Sequence, residues 1–204
     1  MKNNGEYEIF LRAFEPDDYI LINKWRNDRD VTKLTGGVQR YVSSEMEKQW
    51  VHEKMLNNTA DIYLAVCLND STKQMIGYTS LGHIDYVNRS IMGTGTVIGD
   101  RQYRDGISLI EVYLLIMSYV FDTLNMNRLS ASCLEEHVVA SSYLKIMLFN
   151  KEGLERQAIY KQGAYHDKEL YAILRDDYYQ YVTNGQYELK NIIRRFKSLS
   201  NNKK

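Results

Sequence analysis

Gly93-Thr94-Gly95-Thr96-Val97-Ile98-Gly99-Asp100 runs into Arg101-Gln102-Tyr103-Arg104-Asp105-Gly106, and the chain then continues from Ile107 to Leu124. Residues 93–98 read as a strand, and their glycine and threonine content suggests a bulge or a close backbone approach. Residues 107–124 are the strongest helical stretch, with Ile110, Tyr113, Leu114, Met117, Val120, Phe121 and Leu124 at helical spacing. The loop from Asp100 to Gly106 joins the two. A strand that feeds a helix in this way leaves free amides at the helix N-terminus, which can cradle an anion without a lysine.

Upstream, residues 7–12 alternate as a strand, and Pro16-Asp17-Asp18 opens a helix with Tyr19, Ile22 and Trp25 on its apolar face. Gly36-Gly37 predicts a break before a second helix, for which Ser43-Ser44-Glu45-Met46-Glu47 supplies cap candidates and Trp50, Val51 and Met55 a buried stripe. Residues 62–68 are almost wholly apolar, as in a strand covered on both faces. A second strand spans 75–84, and a turn at Asp85-Tyr86-Val87-Asn88 follows it. Downstream, 128–134 reads as a strand, 138–147 as a helix, and 154–160 with 164–174 as a hairpin turning at Lys161-Gln162-Gly163. Tyr187, Leu189, Ile192, Ile193 and Phe196 predict one more amphipathic helix. This order implies an α/β (mixed α+β) fold, a mixed sheet of about six to seven strands with helices on both faces. The expected division is a main domain over 1–175 and a helical extension with a tail over 176–204.

The chain has 204 residues, enough for one substantial core, and 26 basic side chains balance 26 acidic ones. That balance gives no electrostatic reason to expect nucleic acid or an anionic membrane as partner. Only Arg194-Arg195-Phe196-Lys197 through Lys203-Lys204 is locally basic, as a solvated helix end would be. Cys67 and Cys133 lie in apolar strands and read as buried thiols rather than a disulfide. Four scattered histidines offer no metal spacing, so no metal is expected. The polar start and the lack of a long apolar run predict a cytoplasmic protein.

Several segments, in order and over roughly residues 7–174, resemble the GNAT acetyltransferase superfamily, in particular the branch of ribosomal-protein, polyamine and amino-sugar acetyltransferases. They are Leu11-Arg12 with Trp25-Arg26-Asn27-Asp28; Ile76-Gly77-Tyr78; Ile84-Asp85-Tyr86-Val87-Asn88-Arg89; Ile98-Gly99-Asp100; Phe121 to Leu129; Glu152 to Tyr160; and Gly163-Ala164-Tyr165-His166-Asp167. The resemblance implies acetyl-CoA as co-substrate. It places pantetheine on the backbone of Val97 and Ile98, and pyrophosphate on Arg104, Asp105, Gly106, Ile107 and Ser108. The family loop usually reads Q/R-x-x-G-x-G/A; here it is one residue shorter and keeps one glycine. Asp105 adds a negative charge that Arg101 and Arg104 could offset. A plain helix cap, from Asp105 or Ser108, is the competing reading.

In that family a carboxylate on the strand before the loop commonly deprotonates the amine, and a tyrosine on the later helix protonates the departing sulfur. Here Asn88-Arg89-Ser90-Ile91-Met92-Gly93 carries no such carboxylate. Asp85, His83, Glu135 and Glu136 are the nearest candidates, and Asp85 also reads as a turn residue. The family pattern, set without gaps, puts His137, Ala140 and Leu144 at the asparagine, alanine and tyrosine positions. Tyr143 lies one residue early and is an acid candidate or a core residue; His137 is a cofactor contact or a helix cap. The resemblance thus implies acetyl transfer to a primary amine by direct attack in a ternary complex. The acceptor could be an amino sugar, a protein N-terminus or another small-molecule or peptide amine. The alternative is a drifted copy of the fold kept for ligand or partner binding. The Ile192, Ile193 and Phe196 face suggests packing on this domain or in a homodimer.

Overall fold

The computed structural model describes residues 7–33, 35 and 40–201, the last three by backbone alone. The glycine pair at 36–37 lies outside the described residues, as do Met1 to Glu6 and the terminal lysines. Seven strands form one sheet: β1 (Ile9–Ala13), β2 (Ile62–Leu68), β3 (Met75–Asp85), β4 (Ser90–Ile98), β5 (Arg128–Leu134), β6 (Asn150–Lys161) and β7 (Ala164–Leu174). Their spatial order is β1-β2-β3-β4-β5-β7-β6. Every pairing is antiparallel except β4 with β5, which is parallel.

The alternation of β2 shows how the two faces are filled. Ala65 and Cys67 join a cluster with Phe14, Ile22, Trp25 and Val51, whereas Leu64, Val66 and Leu68 join the larger cluster with Ile116, Met117 and Phe121. Successive strand residues point to opposite faces, so the two clusters lie on opposite sides of the sheet. Helices α1 (Tyr19–Asn27), α2 (Arg29–Thr32) and α3 (Ser44–Leu56) belong to the smaller, aromatic side. Helices α4 (Ile107–Ser118), α5 (Val138–Ile146), α6 (Arg175–Thr183) and α7 (Leu189–Asn201) belong to the larger.

Several expectations change. The glycines of β4 mark no bulge: one register with β3 holds from Gly77↔Ile98 to Asp85↔Ser90, interrupted at His83, whose φ is positive. The close approach is at Gly77 instead, where an added Cβ would collide with the Val97 carbonyl oxygen. Helix α4 ends at Ser118 and widens into a π turn over Tyr119–Thr123, where Asp122 accepts from the Ser118 hydroxyl at 2.8 Å. Strand β6 begins at Asn150, four residues early. Helix α6 was not expected. Its sequence has little amphipathic pattern, yet Asp176 and Asp177 favour its N-terminus and Tyr178 stacks on Phe121 with ring centres 4.7 Å apart. Ile192 of α7 is fully buried in the main core, so that helix packs on its own domain. No described helix is long and apolar enough to cross a membrane.

Candidate active site

The parallel pairing of β4 with β5 is brief. It holds at Ser90↔Arg128 and Ile91↔Leu129, reinforced where Ser130 Oγ donates to the Ile91 carbonyl at 2.9 Å. Beyond that point the strands part, and Thr94 to Val97 face Ala131 to Leu134 across a cleft of about 780 Å³. β3 holds β4 from the other side as far as Ile98, while beyond Ile91 its inner edge has no ladder partner among the described residues. Unpaired strand backbone presents donors and acceptors to any extended ligand that carries amides of its own. The cleft passes through the sheet. Leu109, Tyr113, His137, Ala140 and Leu144 line it from the α4–α5 side, and Trp25, Arg26, Trp50, Tyr63 and Tyr78 from the aromatic side.

At the start of α4, Gly106 is the N-cap with φ 91°, a left-handed conformation suited to glycine. Asp105 Oδ1 accepts from the amides of Ile107 at 2.9 Å and Ser108 at 3.4 Å. The carboxylate therefore occupies amides that the resemblance assigned to pyrophosphate, and the capping reading of Asp105 describes this structure. Neither arginine of the loop is turned to that position. Arg104 donates to the carbonyls of Ile98 at 2.9 Å and Gly99 at 3.0 Å, bracing the end of β4. Arg101 bonds Asp30 at 2.8 Å and Asp28 at 3.3 Å, joining the loop to α2. Ser108 is buried and Ile107 is half exposed.

The candidate catalytic residues are not brought together. Asp85 closes the β3–β4 turn, accepting from the amides of Val87 and Asn88 at 2.9 and 2.8 Å and from Asn88 Nδ2 at 2.7 Å. Those bonds hold its carboxyl below the ordinary aspartate range, and it does not line the cleft. Glu135 is exposed outside the lining, and its neighbour Glu136 pairs with His166 at 2.6 Å. His83 is exposed at a left-handed position beside Asp61. Among the described residues, no aspartate or glutamate lines the cleft.

Tyr143 is buried with its hydroxyl against Gly106, and Leu144 takes the lining position beside it. Its hydroxyl lies beside the loop backbone, and Tyr143 is not among the residues that line the cleft. Tyr113, which the sequence reading counted only as core stripe, does line the cleft and packs edge-on against Phe149. Burial holds its phenol well above the ordinary tyrosine range, so it keeps its proton. His137 lines the cleft and also caps α5, its Nδ1 accepting from the Ala140 amide at 3.3 Å. Burial lowers its pKa, which leaves a neutral ring with the proton on Nε2.

On the aromatic side Arg26 is fixed by two contacts that the sequence did not disclose. Its guanidinium lies 4.3 Å over the Trp50 ring, and Nη1 bonds Glu47 Oε1 at 2.8 Å. Glu47 is wholly buried, its other oxygen has no partner among the described residues, and burial raises its pKa. Of the cap candidates from Ser43 to Glu47, it is Ser43 that caps α3, accepting from the Met46 amide at 3.2 Å, while Glu47 turns inward to Arg26. The segment beyond α2 is tied down from the far hairpin, where Lys161 Nζ donates to the carbonyls of Thr32, at 2.8 Å, and Thr35.

Comparison with known proteins agrees with this architecture. The chain is 24% identical over 174 residues to an uncharacterized N-acetyltransferase, YnaD, of Bacillus subtilis, covering 83% of this chain and 95% of that protein. It is 26% identical over 173 residues to the uncharacterized N-acetyltransferase p20 of Bacillus licheniformis, covering 83% and 94%. Among solved structures, a spermidine N-acetyltransferase from Vibrio cholerae, in complex with CoA and spermine, superimposes with a TM-score of 0.76. The identity is 22%, covering 84% of this chain and 98% of that one. Residues 11–170 match the acetyltransferase (GNAT) domain, so the chain belongs to the GNAT family and is an acyltransferase.

Proposed function

We propose that the chain transfers acetyl from acetyl-CoA to a primary amine by direct attack in a ternary complex. The observation that carries this reading is the cleft between β4 and β5, lined from both faces of the sheet. It offers unpaired β4 backbone on the helix side and an aromatic chamber on the other, so donor and acceptor can meet in the gap. The residues suit the donor in part. The inner edge of β4 through Val97 fits an amide-bearing arm, and the α4 amides fit a diphosphate once the Asp105 side chain turns away. Ile98 can offer less, because its carbonyl already accepts from Arg104.

Acetyl-CoA would supply a thioester carbonyl. The amine nitrogen bonds to that carbon as the carbon–sulfur bond breaks; the amine sheds one proton and the sulfur gains one. Tyr113, protonated and in the cleft, suits the donor role. With no carboxylate in the lining, the amine arrives as its neutral fraction or passes its proton to water, and positioning supplies most of the rate.

Titration calorimetry with acetyl-CoA and desulfo-CoA, followed by free-thiol release against a panel of amines, tests the proposal. Micromolar binding with amine-dependent thiol release is the expected result. Binding with no thiol release from any amine would favour a second reading, a ligand-binding member of the family, which the lack of a cleft carboxylate recommends.

A further inference from the structure

The chemistry of the cleft lining narrows the acceptor, and this step rests on the acetyl-transfer reading above. Three cations line the cleft, Arg26, Arg40 and Lys168, and no described aspartate or glutamate does. Two of them stand on the aromatic side, across the sheet from α4 and its N-terminal amides. Arg26 is oriented from behind: Glu47 is buried beneath it and Trp50 lies under its plane, while about a third of the side chain stays accessible. A guanidinium held in this way presents its remaining N–H groups to the cavity in the fixed fork that suits a carboxylate or phosphate. Arg40 is exposed and has no ion-pair partner among the described residues. Lys168 is the weaker contributor, since it pairs with Glu155. A polycation would find no carboxylate in the described lining and one cation, Arg40, without an ion-pair partner, and burying it without a counter-ion is costly.

We infer that the acceptor is an amine that also carries an anionic group, a carboxylate or a phosphate, bound by Arg26 and Arg40 beside the aromatic wall. The rings of Trp25, Tyr63 and Tyr78 then pack the body of the molecule, with Trp25 and Tyr78 stacked at 6.4 Å. The charge selects and the rings hold. The anion need not be a nucleotide; the class is set by the charge beside the amine.

Matched amines test it: tyramine against tyrosine, and glucosamine against glucosamine 6-phosphate, with spermidine as the polycation. Two readouts are taken, kcat/KM from thiol release and affinity for protein saturated with desulfo-CoA. The anionic member of at least one pair is expected to be favoured roughly tenfold, less so at high salt. Arg40→Glu should shrink or reverse that ratio, and circular dichroism would show that the variant is folded. Equal or better performance by the neutral members or spermidine would overturn the inference while leaving acetyl transfer standing. Anion-selective binding without thiol release from any amine would keep the acceptor class and sink the transfer reading. No amine binding at millimolar concentration would count against both.

Discussion

The hydroxyl of Tyr143 rests against the α-carbon of Gly106, on the side where any other residue would carry its Cβ. Two elements distant in sequence thus meet at the start of α4, and the glycine serves both its own φ of 91° and the room the phenol needs. Gly106→Ala should destabilise the protein by about 2–4 kcal/mol, from left-handed strain and overpacking together. Adding Tyr143→Phe removes the nearest atom and leaves the ring carbon Cζ at 3.3 Å, so the double variant should recover part of the loss. Denaturant melts of the four proteins measure the coupling; strict additivity would assign the whole cost to the backbone.

A second consequence concerns Asp105. Because its carboxylate occupies the Ile107 and Ser108 amides, it competes with any anion brought to them. Asp105→Asn keeps an acceptor oxygen and removes the charge. We expect acetyl-CoA to bind roughly two- to tenfold more tightly, with about 0.5 kcal/mol or less of lost stability. Weaker binding in the variant would show that the carboxylate helps to organise the loop.

Tyr113 and Tyr143 can be separated by kinetics. If the cleft-lining phenol protonates the sulfur, Tyr113→Phe lowers kcat by roughly 10²-fold or more, whereas Tyr143→Phe mainly alters the KM for acetyl-CoA through the loop. The reverse pattern would return the acid role to Tyr143.

Much of this was legible because periodicity reports burial directly. The two faces of β2, the stripe of α4 and the closing hairpin all follow from apolar spacing. Helix α6 escaped because its stability comes from Tyr178 meeting Phe121, a contact 57 positions apart in the chain. The loop from Asp100 to Gly106 was legible as the connection before α4, but spacing cannot show whether an aspartate caps amides or frees them. Tyr113 was hidden by the same stripe that identified its helix, since a residue at a core position can also border a cavity. Glu47 stood only in the cap-candidate stretch and Arg26 only in the Trp25–Asp28 segment, and nothing in their spacing pairs them; α1 packing on α3 brings them to 2.8 Å.

His137 supplies a pH dependence. Its folded pKa is lowered, first by burial, and its Nδ1 accepts a capping bond that a proton would abolish. The unfolded chain then binds the proton more readily, so stability rises with pH. The contribution is fully present above the unfolded value of about 6.5 and declines as pH falls from there through the folded value. His137→Asn keeps a capping side chain and cannot titrate. Its stability should change less than that of the parent between pH 7 and pH 5, as chemical denaturation at each pH will show; parallel curves would exclude this role.

The Arg26–Glu47 pair titrates in the opposite sense. Burial raises the Glu47 pKa and Arg26 opposes the rise. A raised folded pKa means that the folded chain holds its proton more tightly, so this group favours folding at low pH and loses that advantage as pH climbs through the folded value. Arg26→Gln removes the one hydrogen-bond partner that the buried Glu47 carboxylate has among the described residues, where its other oxygen has none. Near pH 8 the loss should approach about 3 kcal/mol, as for a buried pair deprived of one member. Near pH 5 the carboxyl can protonate and the deficit should shrink by half or more. Glu47→Gln, uncharged at every pH, should remove most of that pH dependence from the Arg26→Gln background. A deficit independent of pH in the single variant would mean that Arg26 stabilises the fold through Trp50 stacking and not through charge.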